Sequence, residues 1–203
     1  MADLLPVQDE YQNENFKNLQ QRGGLIQGRL FQECSFTRCD LSETTFRGCV
    51  FRDCLFKNCQ MNLIKVPECV FASVRFQHTQ ILGVDWTVAR WEKKQFTAAF
   101  SFENCSVNHN TFMNLNLRKL VMTDCSAVDA NFEETDLTGC CMRGTDLSGS
   151  RFNHTNLSGA DLVGARNYTI ASQFNTLKKT RFSLPEALAL LYALDIEIVP
   201  TEE

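Results

Sequence analysis

The stretch CSFTRCDLSETTFRGCVFRDCLFKNCQM, residues 34–61, decides how this chain folds. In it Cys34, Cys39, Cys49, Cys54 and Cys59 each stand two positions before an apolar residue: Phe36, Leu41, Phe51, Phe56 and Met61. A period of five fits neither the 3.6 of a helix nor the plain alternation of an ordinary strand. It predicts a solenoid made of one short unit used many times.

The apolar positions, here called centres, reach back through Phe31 and Ile26 to Phe16, with Gln21 the one polar exception. They run forward through Val66, Phe71, Phe76, Ile81, Trp86 and Trp91 to Phe96. One extra residue before Phe102 resets the count, which continues through Phe112, Leu117, Met122, Phe132, Leu137, Met142, Leu147, Phe152 and Leu157 to Leu162. Cys69, Cys105, Cys125 and Cys140 obey the same rule, and of the ten cysteines only Cys141 does not. Where no cysteine precedes a centre by two, a small residue usually does, as at Thr44, Ala89, Thr145 and Ala160.

Neighbouring side chains on a strand point to opposite faces, so a centre and the residue two before it share the inner face. The remaining residues turn a corner, with pairs such as Ser148-Gly149 and Ser158-Gly159 supplying the turn chemistry. Equivalent positions on adjacent coils touch, so like residues should recur at the coil length. At a spacing of twenty, Phe16, Phe36, Phe56, Phe76 and Phe96 align, as do Phe112, Phe132 and Phe152, and Leu117, Leu137 and Leu157. The expected coil therefore has four sides.

Several inner positions break the small-residue rule: Leu19, Arg29, Ile64, Val74, Val84, Lys94, Phe100, Leu115 and Leu120. A buried charge is costly, so the coil is expected to loosen at Arg29 and Lys94. Trp86, Trp91 and the Lys93-Lys94 pair mark an interruption around residues 84–101, with no long loop between coils.

The cysteines are read as interior filling rather than metal ligands, because no Cys-x-x-Cys pair occurs and free cysteine is among the most buried residue types. His78, His109 and His154 all lie two positions after a centre, outside any catalytic or metal motif. The expectation is a protein with no catalytic residues, no metal and no cofactor. The chain is too polar for a membrane span, and its first ten residues show no charged-then-apolar leader. Ten cysteines without such a leader suit a reducing cytoplasm.

Residues 1–15 are expected to form an N-terminal cap, 16–165 the solenoid, and 166–203 a tail of another kind. Ser183, Leu184, Pro185 and Glu186 read as a capping box opening a helix from about Leu184 to Leu194, followed by the alternating Ile196-Glu197-Ile198. Leu184, Leu188, Leu191, Leu194, Ile196 and Ile198 are more apolar surface than one short helix can bury. One face should cap the last coil and the other should meet a second copy in a homodimer.

Charge divides the chain. Residues 16–120 carry fourteen Lys or Arg against eight Asp or Glu, whereas residues 121–165 carry Arg143 and Arg151 against seven carboxylates. Those seven are Asp124, Asp129, Glu133, Glu134, Asp136, Asp146 and Asp161, read here as an acidic belt for a partner. A dimer joined through its tails would add the fields of two such belts, which suits a groove that binds DNA.

Thr145-Asp146-Leu147, Thr155-Asn156-Leu157 and Ala160-Asp161-Leu162 carry the small, Asp or Asn, Leu pattern of the pentapeptide-repeat family, which the chain resembles over residues 16–165. That resemblance implies a right-handed quadrilateral β-helix. Arg181-Phe182-Ser183-Leu184-Pro185-Glu186-Ala187, Leu194-Asp195-Ile196-Glu197 and Leu82-Gly83-Val84-Asp85-Trp86 resemble the topoisomerase-protecting branch, its albicidin-resistance members in particular. It implies a cytoplasmic, non-enzymatic DNA mimic that binds DNA gyrase, a type II topoisomerase, and relieves poisoning by albicidin or a quinolone. No direct contact with nucleic acid or membrane is implied. The competing expectation is a scaffold of the same family that binds a different protein.

Overall fold

A computed structural model describes residues 5, 8–91, 98–192, 194 and 196. Twelve short strands form: β1 (Glu10–Gln12), β2 (Asn15–Lys17), β3 (Leu25–Gln27), β4 (Leu30–Gln32), β5 (Ser35–Thr37), β6 (Thr45–Arg47), β7 (Val50–Arg52), β8 (Leu55–Lys57), β9 (Val70–Ala72), β10 (Val74–Gln77), β11 (Phe100–Glu103) and β12 (Val121–Thr123). Every pairing is parallel. β1, β4, β7 and β9 make one sheet, β2, β5, β8, β10, β11 and β12 a second, and β3 and β6 a third. Isolated bridges carry a fourth column through Gln20, Asp40, Gln60, Gln80, Ser106, Ser126, Asp146 and Arg166.

These columns are the four walls of a right-handed quadrilateral β-helix. Wall 1 holds the Tyr11, Phe31, Phe51 and Phe71 centres, wall 2 those from Phe16 to Phe76, wall 3 Leu41 and Met61, and wall 4 Ile26 and Phe46. Partners differ by twenty residues, as in Phe36 with Phe56 and Phe31 with Phe51. The rings stack in file: Phe16, Phe36, Phe56, Phe76 and Phe102 succeed one another at centroid separations of 4.8, 4.6, 5.2 and 5.0 Å. Burying each such ring contributes roughly 1.5–3 kcal/mol.

Corners recur two positions after each centre, where the backbone turns left-handed. Asn18, Arg38, Asn58, His78, Asn104 and Asp124 occupy that conformation on one edge, followed by Gly144 and Gly164. Glycine takes it without strain, and Asn and Asp tolerate it better than most residues.

The inner polar atoms explain why the grid favours cysteine, threonine and serine. The Cys59 thiol accepts the Cys39 N–H at 3.5 Å and donates to the Phe36 carbonyl at 3.4 Å. Ser150 does the same for the Ala130 N–H and the Ala127 carbonyl, and Thr79 for the Cys59 N–H and the Phe56 carbonyl. Nine cysteines are buried and Cys141 is half-buried, which matches the interior reading. They are more than apolar filling, since their sulfurs satisfy main-chain groups that water cannot reach.

Four expectations are corrected. Phe76 partners Phe102 rather than Phe96, because the coil there takes 26 residues, as the Val74–Phe100 and Asp85–Thr111 pairs also show. That coil is six residues longer than its neighbours, where a single extra residue is expected; Lys93, Lys94 and Phe96 lie outside the described residues. The inner position also holds large side chains: Leu19, Ile64, Val74, Val84, Phe100, Leu115 and Leu120 are all buried. The coil does not loosen at Arg29. Its carbonyl accepts the Val50 N–H at 2.8 Å, while its guanidinium emerges near the open end and pairs with Asp9, which removes the burial cost.

At the far end the expected helix is shorter. A 3-10 turn over Glu186–Leu188 leads into one α-helical turn, α1 (Ala189–Tyr192). The capping box does not form, because the Ser183 hydroxyl instead accepts the Gly164 N–H at 2.9 Å and ties the tail to the preceding coil.

Candidate functional site

The seven carboxylates of the acidic belt encircle the rod rather than share a face. Asp136 projects from wall 1 and Asp161 from wall 2, with Asp124 at the next corner. Asp146 lies on wall 3 with Asp129 at its corner, and Glu133 and Glu134 belong to wall 4. Asp124, Asp129 and Glu134 occupy left-handed corners. Parallel bridges carry the others between coils, Asn116–Asp136–Asn156 and Ser126–Asp146–Arg166 among them.

Most of these carboxylates also serve the fold. Asp136, Asp146 and Asp161 each accept the N–H two residues on, from Thr138 at 3.0 Å, Ser148 at 3.1 Å and Val163 at 3.1 Å. Arginines on adjacent coils face them: Arg118 to Asp136 at 3.2 Å, Arg151 to Glu133 at 3.6 Å and Arg166 to Asp146 at 3.5 Å. Arg143 and Arg181 both reach Asp161 at 3.1 Å, whose side chain is 17% exposed. The Ser148 hydroxyl, opposed by partial burial and helped by Asn167 and Arg166, holds the Asp146 carboxyl below its usual range. Asp129 faces His109 at 3.6 Å.

The tail presents the second predicted surface. Phe182 packs on Tyr168 at a centroid distance of 5.5 Å, and Leu177, Ala189 and Leu190 lie against the core, so one side covers the last coil. The other side stays open: Leu184 is 77% exposed, and Leu188, Leu191, Leu194 and Ile196 are exposed beside Tyr192. Ile198 lies outside the described residues.

Sequence reading missed a third surface, at the opposite end of wall 2. Lys17, Arg38, Lys57 and Arg75 all project from it over the coils of Phe16, Phe36, Phe56 and Phe76, and all are exposed. Its other outward residues there are Asn15, Asn18, Ser35, Thr37, Leu55, Asn58, Gln77 and His78, with the exposed carboxylate of Glu14 at the open first coil. The signal is present in the chain, but it emerges only when residues are sorted by wall, because fourteen cations spread over residues 16–120 carry no direction by themselves.

Among the described residues no group of three or more His, Cys, Asp or Glu is placed to hold a metal ion, and no helix is long and apolar enough to cross a membrane. Burial pushes the Cys54 thiol from its ordinary 9.0 to about 12.

Two family models match the chain. One, described as a pentapeptide repeat region, covers residues 30–99; the other, pentapeptide repeats in eight copies, covers residues 111–144 and 130–166. Together they take in more than half of the chain. No curated protein sequence matches it. Among solved structures, HetL, a pentapeptide repeat protein involved in heterocyst differentiation regulation in the cyanobacterium Nostoc, is similar with a TM-score of 0.53 at 15% identity, over 84% of this chain and 81% of that one. QnrB1, a plasmid-mediated fluoroquinolone resistance protein, gives 0.49 at 17% identity, over 98% of this chain and 100% of that one. At such identities the first likeness shows the fold alone, and the second adds nothing to it.

Proposed function

Because this chain belongs to the pentapeptide-repeat family, we propose that it is a cytoplasmic, dimeric interaction protein that binds DNA gyrase and relieves a poison such as albicidin or a quinolone. The observation that carries the reading is the exposed apolar side of the tail, set directly beyond the coils that bear the acidic belt. Two copies joined there through Leu184, Leu188, Leu191, Leu194, Ile196 and Ile198 bring both belts to the middle of one rod. In this reading the doubled belt is what occupies a DNA-binding groove. No chemistry by this chain is required: occupying the DNA gate, or loosening the drug-trapped cleavage complex, is enough.

A supercoiling assay with purified gyrase, with and without poison, tests it over a concentration series of this protein. Inhibition alone, rescue in the presence of drug, or both are expected. If neither occurs at any practical concentration the gyrase reading is dropped. Removing the residues after Ala165 should convert the dimer to a monomer by light scattering, and a dimer that survives contradicts the tail assignment.

The pairing of Asp136, Asp146, Asp161 and Glu133 with arginines favours a second reading, a family scaffold for a different protein partner, because paired carboxylates project a weaker field. Replacing Asp124, Asp129 and Glu134 with Lys discriminates between them. Loss of gyrase binding supports the first reading, no gyrase binding by either the unaltered chain or the variant supports the second, and unchanged binding contradicts a role for the acidic belt.

A further inference from the structure

We propose that the N-terminal half of wall 2 is a binding face for the phosphate backbone of duplex DNA. The inference stands apart from the gyrase reading and departs from the expectation of no direct nucleic-acid contact.

Lys17 and Lys57 occupy the same column two coils apart, and Arg38 and Arg75 flank that column on either side. None of the four makes an ion pair among the described residues, in contrast to the five arginines from Arg118 to Arg181 that pair with carboxylates. The other walls mix signs over the same coils: Glu33, Arg52 and Asp53 on wall 1, Arg22, Asp40 and Glu43 on wall 3, Arg47, Lys65 and Glu68 on wall 4. Acids border this stripe rather than interrupt it: Glu14 on the open first coil, Glu33 and Asp53 at the corner with wall 1, and Glu103 on the next coil, where it accepts a hydrogen bond from the Gln77 amide at 3.0 Å.

Spacing favours a nucleic acid backbone over an acidic protein. Three coil steps of ~4.8 Å carry the four cations along ~14 Å of rod. One strand of B-DNA places a phosphate about every 3.4 Å of helix axis, so the same length offers about four. The wall is rigid, since β5, β8 and β10 are hydrogen-bonded on both sides, β2 pairs with β5, and rings are stacked behind them, and a rigid line of charge suits a polymer of fixed charge spacing. Between the cations stand Asn18, Thr37 and Asn58, residue types that contact phosphate oxygens beside Lys and Arg. Contacts to phosphates carry no sequence information, so binding should be indifferent to base sequence.

The test is fluorescence anisotropy of two unrelated 30-base-pair duplexes with the full chain in the absence of gyrase, across a salt series. Equal affinity for both duplexes is expected, with log K falling against log salt at a slope of about −3.6, the value for four neutralised phosphates. A variant with Lys17, Arg38, Lys57 and Arg75 all changed to Gln should lose at least tenfold in affinity and most of the slope. A second variant with Arg47, Arg52, Lys65 and Arg90 changed to Gln removes the same net charge from the other walls and should keep both, with circular dichroism showing that each variant remains folded. Absence of binding at low salt, equal losses in the two variants, or competition by polyglutamate as effective as DNA at matched charge would overturn the proposal. The last outcome would make the occupant an acidic protein.

Discussion

The coils of residues 16–76 and those of residues 121–165 keep one register with two different chemistries. In the first set, three-residue strands line three walls, aromatic rings stack behind them, and cysteine occupies the inner position. In the second, bridges replace nearly all strands, leucine and methionine fill three walls of the core beside a single Phe132–Phe152 stack, and the corners close with backbone bonds such as Cys140 N–H to Leu137 at 3.0 Å and Ala160 N–H to Leu157 at 2.9 Å. Corner glycines accumulate at Gly139, Gly144, Gly149, Gly159 and Gly164. Coil length is thus set by main-chain hydrogen bonding between coils, while side chains choose how each wall and corner is finished. The exterior is free to change sign, and does.

The largest test of that contrast is in the rings. Phe56→Ala removes the middle of a five-ring file and should cost about 4 kcal/mol in urea unfolding. Leu137→Ala, in the second set, should cost about 3 kcal/mol, since it leaves a smaller cavity and breaks no stack. Equal losses would mean that ring stacking adds nothing to the first set.

Corners come next. At Gly139 nothing stands within 4 Å of an added Cβ, so Gly139→Ala should cost only the left-handed penalty of roughly 1–2 kcal/mol. At Gly144 the added carbon meets the Asp124 carboxylate of the preceding coil, so Gly144→Ala should cost about 1 kcal/mol more. Asp124→Ala should recover that excess, and a double-mutant cycle measures it directly.

Inner donors give a smaller effect. Cys59→Val fills the space but leaves the Cys39 N–H and the Phe36 carbonyl without their sulfur partner, at a cost of about 1–2 kcal/mol; Cys59→Ser should lose less. Ser150→Ala should match Cys59→Val if thiol and hydroxyl play one role in the two sets.

The last effect is in pH, and within the neutral range it is silent. The Cys54 thiol is held protonated in the folded state, with its pKa raised from 9.0 to about 12, so its stabilisation is complete below pH 9 and is lost as the pH rises toward 12. Cys54→Ala should flatten the alkaline fall in stability over that window. At the acid end Asp146, held below its usual range, contributes above its unfolded pKa and loses that contribution as the pH falls through its folded value. Asp146→Asn should reduce acid sensitivity, most visibly in the second set of coils.

The repeating core was legible because a period of five leaves a mark at every centre from Phe16 to Leu162. The interior fate of Cys34, Cys39 and their successors was equally plain. The path past Trp91 was not, because counting by five passes through Phe96 while the pairing of Phe76 with Phe102 is decided between coils, where sequence spacing is silent. The tail shows the same limit: Ser183 has the right spacing from Glu186 for a capping box, but the Gly164 N–H of the neighbouring coil competes for its hydroxyl. Surface charge was legible in total and hidden in direction. The carboxylates of residues 121–165 are easily counted, yet their arginine partners stand 18 to 20 positions away.

The 26-residue coil has a practical side. Arg90 donates to the Cys69 carbonyl at the usual spacing, while Val74 meets Phe100 and Phe76 meets Phe102, so the rod gains six residues between Arg90 and Phe100 without any change of phase further along. That junction is a natural graft point: a foreign epitope or reporter spliced between Arg90 and Phe100 should leave the coils on either side in alignment.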